Sequence, residues 1–134
     1  MITADSSVWI GYFNGTDTPQ TRALDAALDD SANEVLLLDV VLMEVLRGFR
    51  FERDWNLARA AFAPLPIVTA GGEAIALAAA SLYRSLRGHG FTVRSPIDLL
   101  IGAWCIANDC ALIHDDRDFA PMESLEGLQT WSPA

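Results

Sequence analysis

Short unbroken apolar runs, set between amphipathic stretches, constrain this chain most. Residues 35–38 (VLLL) and 111–113 (ALI) contain no polar residue and are too short to be helices. A strand buried on both faces reads as such a run, whereas a half-exposed strand alternates. Residues 1–4 and 65–69, the latter with Pro66 early, are expected as two further strands. The segments between them carry helix signals. These are residues 6–14 closed by Gly15, 19–31 with Pro19 near the start, and 40–49 with Asp39 as the expected N-cap. Residues 52–63, the Ala-rich 73–87 followed by Gly88 and Gly90, and 97–109 opened by Ser95-Pro96 complete the set. Residues 128–131 are expected as a fifth strand at an edge. Strands alternating with helices imply βαβ crossovers. The expected class is therefore α/β: a three-layer α/β/α sandwich around a mainly parallel, four- to five-stranded sheet. A length of 134 residues suggests one domain.

In such a fold, ligands bind beyond the carboxyl ends of the strands. Asp5 directly follows the first run. The last run leads into His114 and then Asp115, Asp116 and Asp118. Two carboxylates ~4 Å apart repel by roughly 4 kcal/mol at an effective dielectric of about 20, so this crowding needs water or a positive charge. Two other acids break their local pattern. Glu44 is the only polar residue between Val40 and Leu46. It reads either as a site acid or as a side chain that snorkels to water or pairs with Arg47. Asp98 is the only charge between Pro96 and Ala107, in the first turn of a helix capped by Ser95. It reads either as a plain helix-start aspartate favoured by the macrodipole or as a carboxylate at the sheet edge. Asp5, Glu44, Asp98 and Asp116 come from separate segments that a parallel sheet can gather. A divalent cation is the economical way to hold them together. Oxygen-only donors select Mg²⁺ or Mn²⁺, and such an ion can activate a water against a phosphodiester. From the residues alone, the chain reads as a metal-dependent phosphoester hydrolase.

The formal net charge is −9, and all nine basic residues are arginine. Without lysine, a P-loop NTPase, a Schiff-base enzyme and a phospho-acceptor receiver domain are all excluded or unsupported. The acidity argues against charge-driven binding to long nucleic acid, but not against cutting it at a metal site. A nucleophilic-aspartate phosphatase wants Asp-x-Asp after its first strand, and here Asp5-Ser6-Ser7 stands there. Cys105 and Cys110 lack zinc spacing and read as small buried hydrophobes. No run approaches the ~20 apolar residues of a membrane span. The first residues lack the basic region of a signal peptide. The expected location is cytoplasmic, with no membrane contact.

In this order, the motifs resemble those of PIN-domain ribonucleases, particularly the VapC-type toxins of type II toxin–antitoxin pairs. DSSVWIGYFNG resembles the family's opening, MEVLRGF its second acidic motif, SPIDLLIGAWC its third and LIHDDRDFAPM its last. The resemblance covers the chain and implies a single PIN-like nuclease domain over residues 1–134. It carries the metal-binding and catalytic roles onto Asp5, Glu44, Asp98 and Asp116. Ser6 and Asp118 become supporting residues, and His114 an orienting one or an ordinary strand-end histidine. The choice of Asp116 over Asp115 rests on the spelling Asp-Arg-Asp-Phe. The implied activity is a Mg²⁺- or Mn²⁺-dependent endoribonuclease, held inactive by a cognate antitoxin and commonly dimeric. Two alternatives stay open: a non-catalytic PIN-like scaffold that binds a partner, and a metal-dependent hydrolase of small phosphoesters.

Arg47, Arg50 and Arg53 follow Glu44 at spacings of three, and Arg84, Arg87 and Arg94 form a second group. Arg47 and Arg50 are expected to meet RNA or an antitoxin, the alternative being a solvated helix face. Trp9, Tyr12, Phe13, Phe49 and Trp55 read as core or interface before they read as base-stacking groups. The aromatic-rich hairpin of residues 40–63 is expected to form part of an antitoxin groove.

Overall fold

Four short strands and seven α-helices follow one another in the computed structural model, which describes residues 1–133. Strand β1 (Ile2–Ala4) leads into α1 (Ser6–Phe13) and α2 (Pro19–Asp29). Strand β2 (Leu37–Leu38) leads into α3 (Asp39–Arg47) and α4 (Glu52–Phe62). Strand β3 (Ile67–Val68) leads into α5 (Glu73–Gly88) and α6 (Pro96–Ala107). Strand β4 (Ala111–Ile113) leads into a 3-10 turn (Arg117–Phe119) and α7 (Ala120–Glu126).

All strand pairings are parallel. Thr3 lies opposite Leu112 in the β1–β4 pair, and Leu38 lies opposite Val68 in the β2–β3 pair. The two pairs are joined where the Ile2 N–H donates to Glu34 O at 2.8 Å and the Leu36 N–H to Ile2 O at 2.9 Å. Beyond β4, a single bridge from Leu112 to Thr130 forms the other edge. The strand order is thus β3, β2, β1, β4, then the Thr130 edge. The chain steps from β1 to β2 to β3 in one direction and returns to β4 on the far side of β1. Right-handed crossovers, the rule for parallel connections, therefore place α1 to α4 on one face and α5 and α6 on the other. The helix contacts agree: α1 packs on α2 and α3, while α5 packs on α6 and α7. The expected three-layer α/β/α sandwich is what the chain forms. Its order reverses between β1 and β4, so the crevice for a ligand opens at their carboxyl ends.

The core explains the unbroken runs. Leu36, Leu37, Leu38, Leu112 and Ile113 are all buried, as layers on both faces require. Trp9 packs edge-to-face on Phe62 at 4.9 Å between centroids and stacks on Phe13 at 5.9 Å, so the first aromatic cluster belongs to the core. Cys105 and Cys110 are free and buried, as expected of small hydrophobes. Among the described residues, no helix is long and apolar enough to cross a membrane.

Three local readings need correction. Asp39 is not a cap: β2 abuts α3 without a loop, so the cap position falls on Leu38. Asp39 Oδ1 instead accepts the Val40 N–H at 2.8 Å and the Ala70 N–H at 3.0 Å, clipping the segment after β3 to the start of α3. The fifth strand shrinks to one bridge at Thr130. Helix α7 was not expected, because seven residues with Pro121 in the first turn offer too little periodicity.

Gly102 shows how tightly the helices of the second face meet. A Cβ there would lie 2.4 Å from Met122 Sδ of α7 and 3.6 Å from Leu82 Cδ2 of α5. Met122 is fully buried and has little room to retreat. Overpacking typically costs about 1–3 kcal/mol, against about 1 kcal/mol gained from replacing a helical glycine by alanine. Gly102→Ala is therefore expected to lower unfolding free energy by up to about 2 kcal/mol, read from the midpoint of a urea melt.

Candidate active site

Strand β1 delivers Asp5 straight into the N-cap of α1. Its Oδ1 accepts the Val8 N–H at 3.2 Å and the Ser7 hydroxyl at 2.9 Å. The residue is only 4% exposed. Burial pushes its carboxyl above the usual range and Asp116 adds to this, while the two hydrogen bonds and His114 act against it.

Glu44 is half-buried on α3. The Ser6 hydroxyl donates to its Oε1 at 2.5 Å. Ser6 adjoins Asp5, so this bond ties the α3 carboxylate to the end of β1. Among the described residues the one arginine paired with a carboxylate is Arg22, on Asp17, so Glu44 does not pair with Arg47. Arg47 and Arg50 are both exposed, and the Arg50 guanidinium lies 5.6 Å over the Phe51 ring.

Asp98 owes its place to the Ser-Pro-Ile-Asp spelling. Ser95 Oγ accepts the Asp98 N–H at 3.3 Å and Pro96 opens the first turn, fixing where α6 begins. Its carboxyl is pushed up to about 7, by burial first and then by Asp116, Asp5, Glu44 and Asp118. All the other acids of the crevice thus act on this one.

Beyond β4 the chain turns sharply. Asp116 Oδ1 accepts the Asp118 N–H at 2.9 Å and caps the 3-10 turn. One carboxylate oxygen each from Asp98, Asp116 and Asp118 lie within 4.8 Å of one another. Asp115 is exposed and lines a separate cleft with Ser7, Gly11 and Thr18. The two neighbouring aspartates therefore face different places. His114 Nδ1 accepts the Asp116 N–H at 3.3 Å, which leaves the Nε2 hydrogen for Glu123. Glu123 also accepts the Thr130 hydroxyl. Sequence reading missed Glu123, whose only local signal was a helix too short to recognise, and placed Thr130 on an edge strand without a part in this link.

The donors are all carboxylate oxygens, gathered against their mutual repulsion and without a basic side chain paired to any of Asp98, Asp116 or Asp118. This set fits a hard divalent cation. The raised Asp98 carboxyl gives the arrangement a pH signature. A carboxyl ordinarily at 3.8 and raised to about 7 in the fold binds its proton more tightly when folded. Its contribution to stability is complete below the unfolded value and is lost as pH rises through the folded one. Metal-free protein is therefore expected to melt at lower temperature at about pH 8 than at about pH 5. Apparent affinity for a divalent cation should move the opposite way, tightening as pH rises through about 7. Circular dichroism melts with and without added cation check both signs.

The PIN domain family model matches residues 2–124. The chain belongs to the PIN-domain family. A protein named VapC ribonuclease Mb1587, from Mycobacterium bovis, is 30% identical over 132 residues, covering 98% of both chains. Ribonuclease VapC11 of Mycobacterium tuberculosis H37Rv matches with the same identity and coverage. Among solved structures, VapBC2 from Rickettsia felis bound to a promoter DNA fragment superposes with a TM-score of 0.77 at 17% identity, over 98% of each chain. FitAcB from Neisseria gonorrhoeae gives 0.70 at 18% identity, over 98% of this chain and 97% of that one. At such identities the structures speak for the PIN fold itself, which this chain shares over 98% of its length.

Proposed function

We propose that this PIN domain is a Mg²⁺- or Mn²⁺-dependent endoribonuclease, the toxin of a type II toxin–antitoxin pair. The observation that carries the reading is the trio of Asp98, Asp116 and Asp118 beyond β4, with Asp5 and Glu44 near enough to raise the Asp98 carboxyl. Relatives at 30% identity across the chain are named ribonucleases, which supports RNA over small phosphoesters as substrate.

Asp98, Asp116 and Asp118 would hold the cation, with Asp5 and Glu44 completing its acidic surround. A bound Mg²⁺ or Mn²⁺ supplies Lewis acidity toward a phosphodiester and its attacking water. The chain's own residues supply placement. Ser6 fixes Glu44, Ser7 and the Val8 N–H fix Asp5, and the Asp118 N–H fixes Asp116. His114, itself anchored on Glu123, holds the backbone of Asp116 in place. Groups oriented before substrate arrives lose little entropy in the transition state.

The partner side of the proposal rests on the α3–α4 hairpin. Met43, Phe51, Trp55 and Leu57 are exposed there, with Phe51 at 63% and Leu57 at 60%. An apolar helix in a groove suits such a surface, and solved relatives of this fold are VapBC complexes. Arg47 and Arg50 border the same hairpin and suit an acidic segment of the antitoxin or an RNA phosphate. We place the protein in the cytoplasm, as one nuclease domain that pairs with a second copy of itself and with a cognate antitoxin. Expression in a bacterial host tests the biological role. Wild type should arrest growth, and co-expression of a cognate antitoxin should relieve the arrest. Growth unaffected at a confirmed protein level would contradict the toxin assignment.

A further inference from the structure

A second cleft, of about 520 Å³, adjoins the acids. Phe91, Thr92, Arg117, Pro121 and Ser124 line it together with Asp118, so one wall is shared with the acidic cluster. Its volume lies in the range of small-ligand pockets. Phe91 is 45% exposed. A single exposed ring is ordinary on a protein surface, but this one is held on a fixed turn. Gly90 has φ +87° and its N–H donates to Arg87 O at 3.0 Å, and the Phe91 N–H donates to Leu86 O at 2.9 Å. This closure of the α5 end needs a residue at ease in the left-handed region. The Arg87 guanidinium donates to Thr92 Oγ1 at 3.0 Å, bracing the next residue of the same turn. Arg117 sits between two aspartates in sequence, yet among the described residues it pairs with no carboxylate. Its guanidinium is exposed and lines the cleft.

We infer that this cleft is a nucleotide subsite, where one base of a single-stranded RNA stacks on Phe91 and an adjoining phosphate meets Arg117. The inference rests on the nuclease reading and extends it to substrate binding. Aromatic faces accept any base, and guanidinium forks fit phosphate oxygens. In a chain of net charge −9, Arg117 at this cleft, with Arg87 behind Thr92, gives the strand a local cationic landing beside the acids. A protein partner is the less suited occupant. Val93, Ala120 and Pro121 add apolar surface beside the ring, and the Thr92 and Ser124 hydroxyls and the Arg117 guanidinium stand among them. Such a mixed lining suits a base with apolar faces and polar edges next to a phosphate, while the exposed apolar residues of the hairpin lie elsewhere.

The test compares full-length wild type with Phe91→Ala, Phe91→Trp and Arg117→Gln, in Mn²⁺, on two substrates. One is a single-stranded oligoribonucleotide of about eight residues. The other is bis(p-nitrophenyl) phosphate, which has neither a base nor a second phosphate. Phe91→Ala should lower the ratio of RNA to small-substrate kcat/KM about tenfold or more, mostly through KM, and Phe91→Trp should restore it. Arg117→Gln should lower the same ratio and flatten its salt dependence. An unchanged ratio in Phe91→Ala, or equal losses on both substrates, would overturn the subsite. So would a Phe91→Ala protein that cleaves RNA normally but no longer binds its antitoxin, which would make the cleft a protein surface. Wild type inert on both substrates would overturn the nuclease reading itself, and the subsite with it.

Discussion

Asp98→Asn is expected to remove RNA cleavage by about three orders of magnitude or more while making the metal-free protein more stable. The first effect follows from its place in the tight trio with Asp116 and Asp118. Losing one charged donor there weakens the cation and leaves the transition state without part of its electrostatic support. The second effect follows from the opposing forces on this carboxyl. Burial and its acidic neighbours raise it to about 7, so at neutral pH its charge opposes folding. An amide of the same shape keeps the packing and drops the charge. Because the group is partly solvated, the gain is taken as on the order of 1 kcal/mol, and a domain of this size then melts about 3–5 °C higher. Functional sites commonly hold such a trade of stability for activity. The two readouts together separate a chemical loss from a folding defect: activity and melting temperature falling in parallel would mean Asp98 is structural.

The second large effect is a contrast between neighbours. Asp116→Asn should abolish cleavage to a similar extent, whereas Asp115→Asn should stay within about threefold of wild type. Asparagine at 116 keeps an oxygen to accept the Asp118 N–H, so the 3-10 turn survives the change. What it loses is charge at the cluster. Asp115 is exposed, stands outside the Asp98–Asp116–Asp118 trio and lines the Ser7–Thr18 cleft instead, and an exposed charge outside the cluster has little leverage on catalysis. Single-turnover cleavage of one labelled RNA by both variants decides the matter. Equal losses, or the reverse order, would move the fourth acid to Asp115.

Much of this architecture was legible because local rules coincide with it. The unbroken runs at 35–38 and 111–113 become central strands because layers cover them on both sides. Asp5 was readable as a strand-end acid, Asp98 from the Ser95-Pro96 start, and Glu44 as the lone polar residue on an apolar stretch. Glu44 was doubted as a side chain that snorkels to water or pairs with Arg47; no such pair forms among the described residues, and the half-buried carboxylate takes the Ser6 hydroxyl instead. That bond joins residues 38 apart, and no local pattern encodes it. The same limit hid the link from His114 to Glu123 and from Glu123 to Thr130. It also hid Phe91 beside Arg117, since the cleft joins the α5–α6 connection to the turn after β4. The cap assigned to Asp39 failed for a different reason. Cap statistics assume a loop before the helix, and here strand and helix share a boundary.

The acids collected beyond β1 and β4 are, on this account, a cation site that hydrolyses RNA. Incubating purified protein with single-stranded RNA, with Mn²⁺ or Mg²⁺ and then with excess chelator, addresses that claim most directly. Internal cleavage that requires the cation, stops with chelator, returns on re-addition and is absent from Asp98→Asn is the predicted result. RNA left intact by folded wild type under every metal condition, or cut equally well by Asp98→Asn, would contradict it.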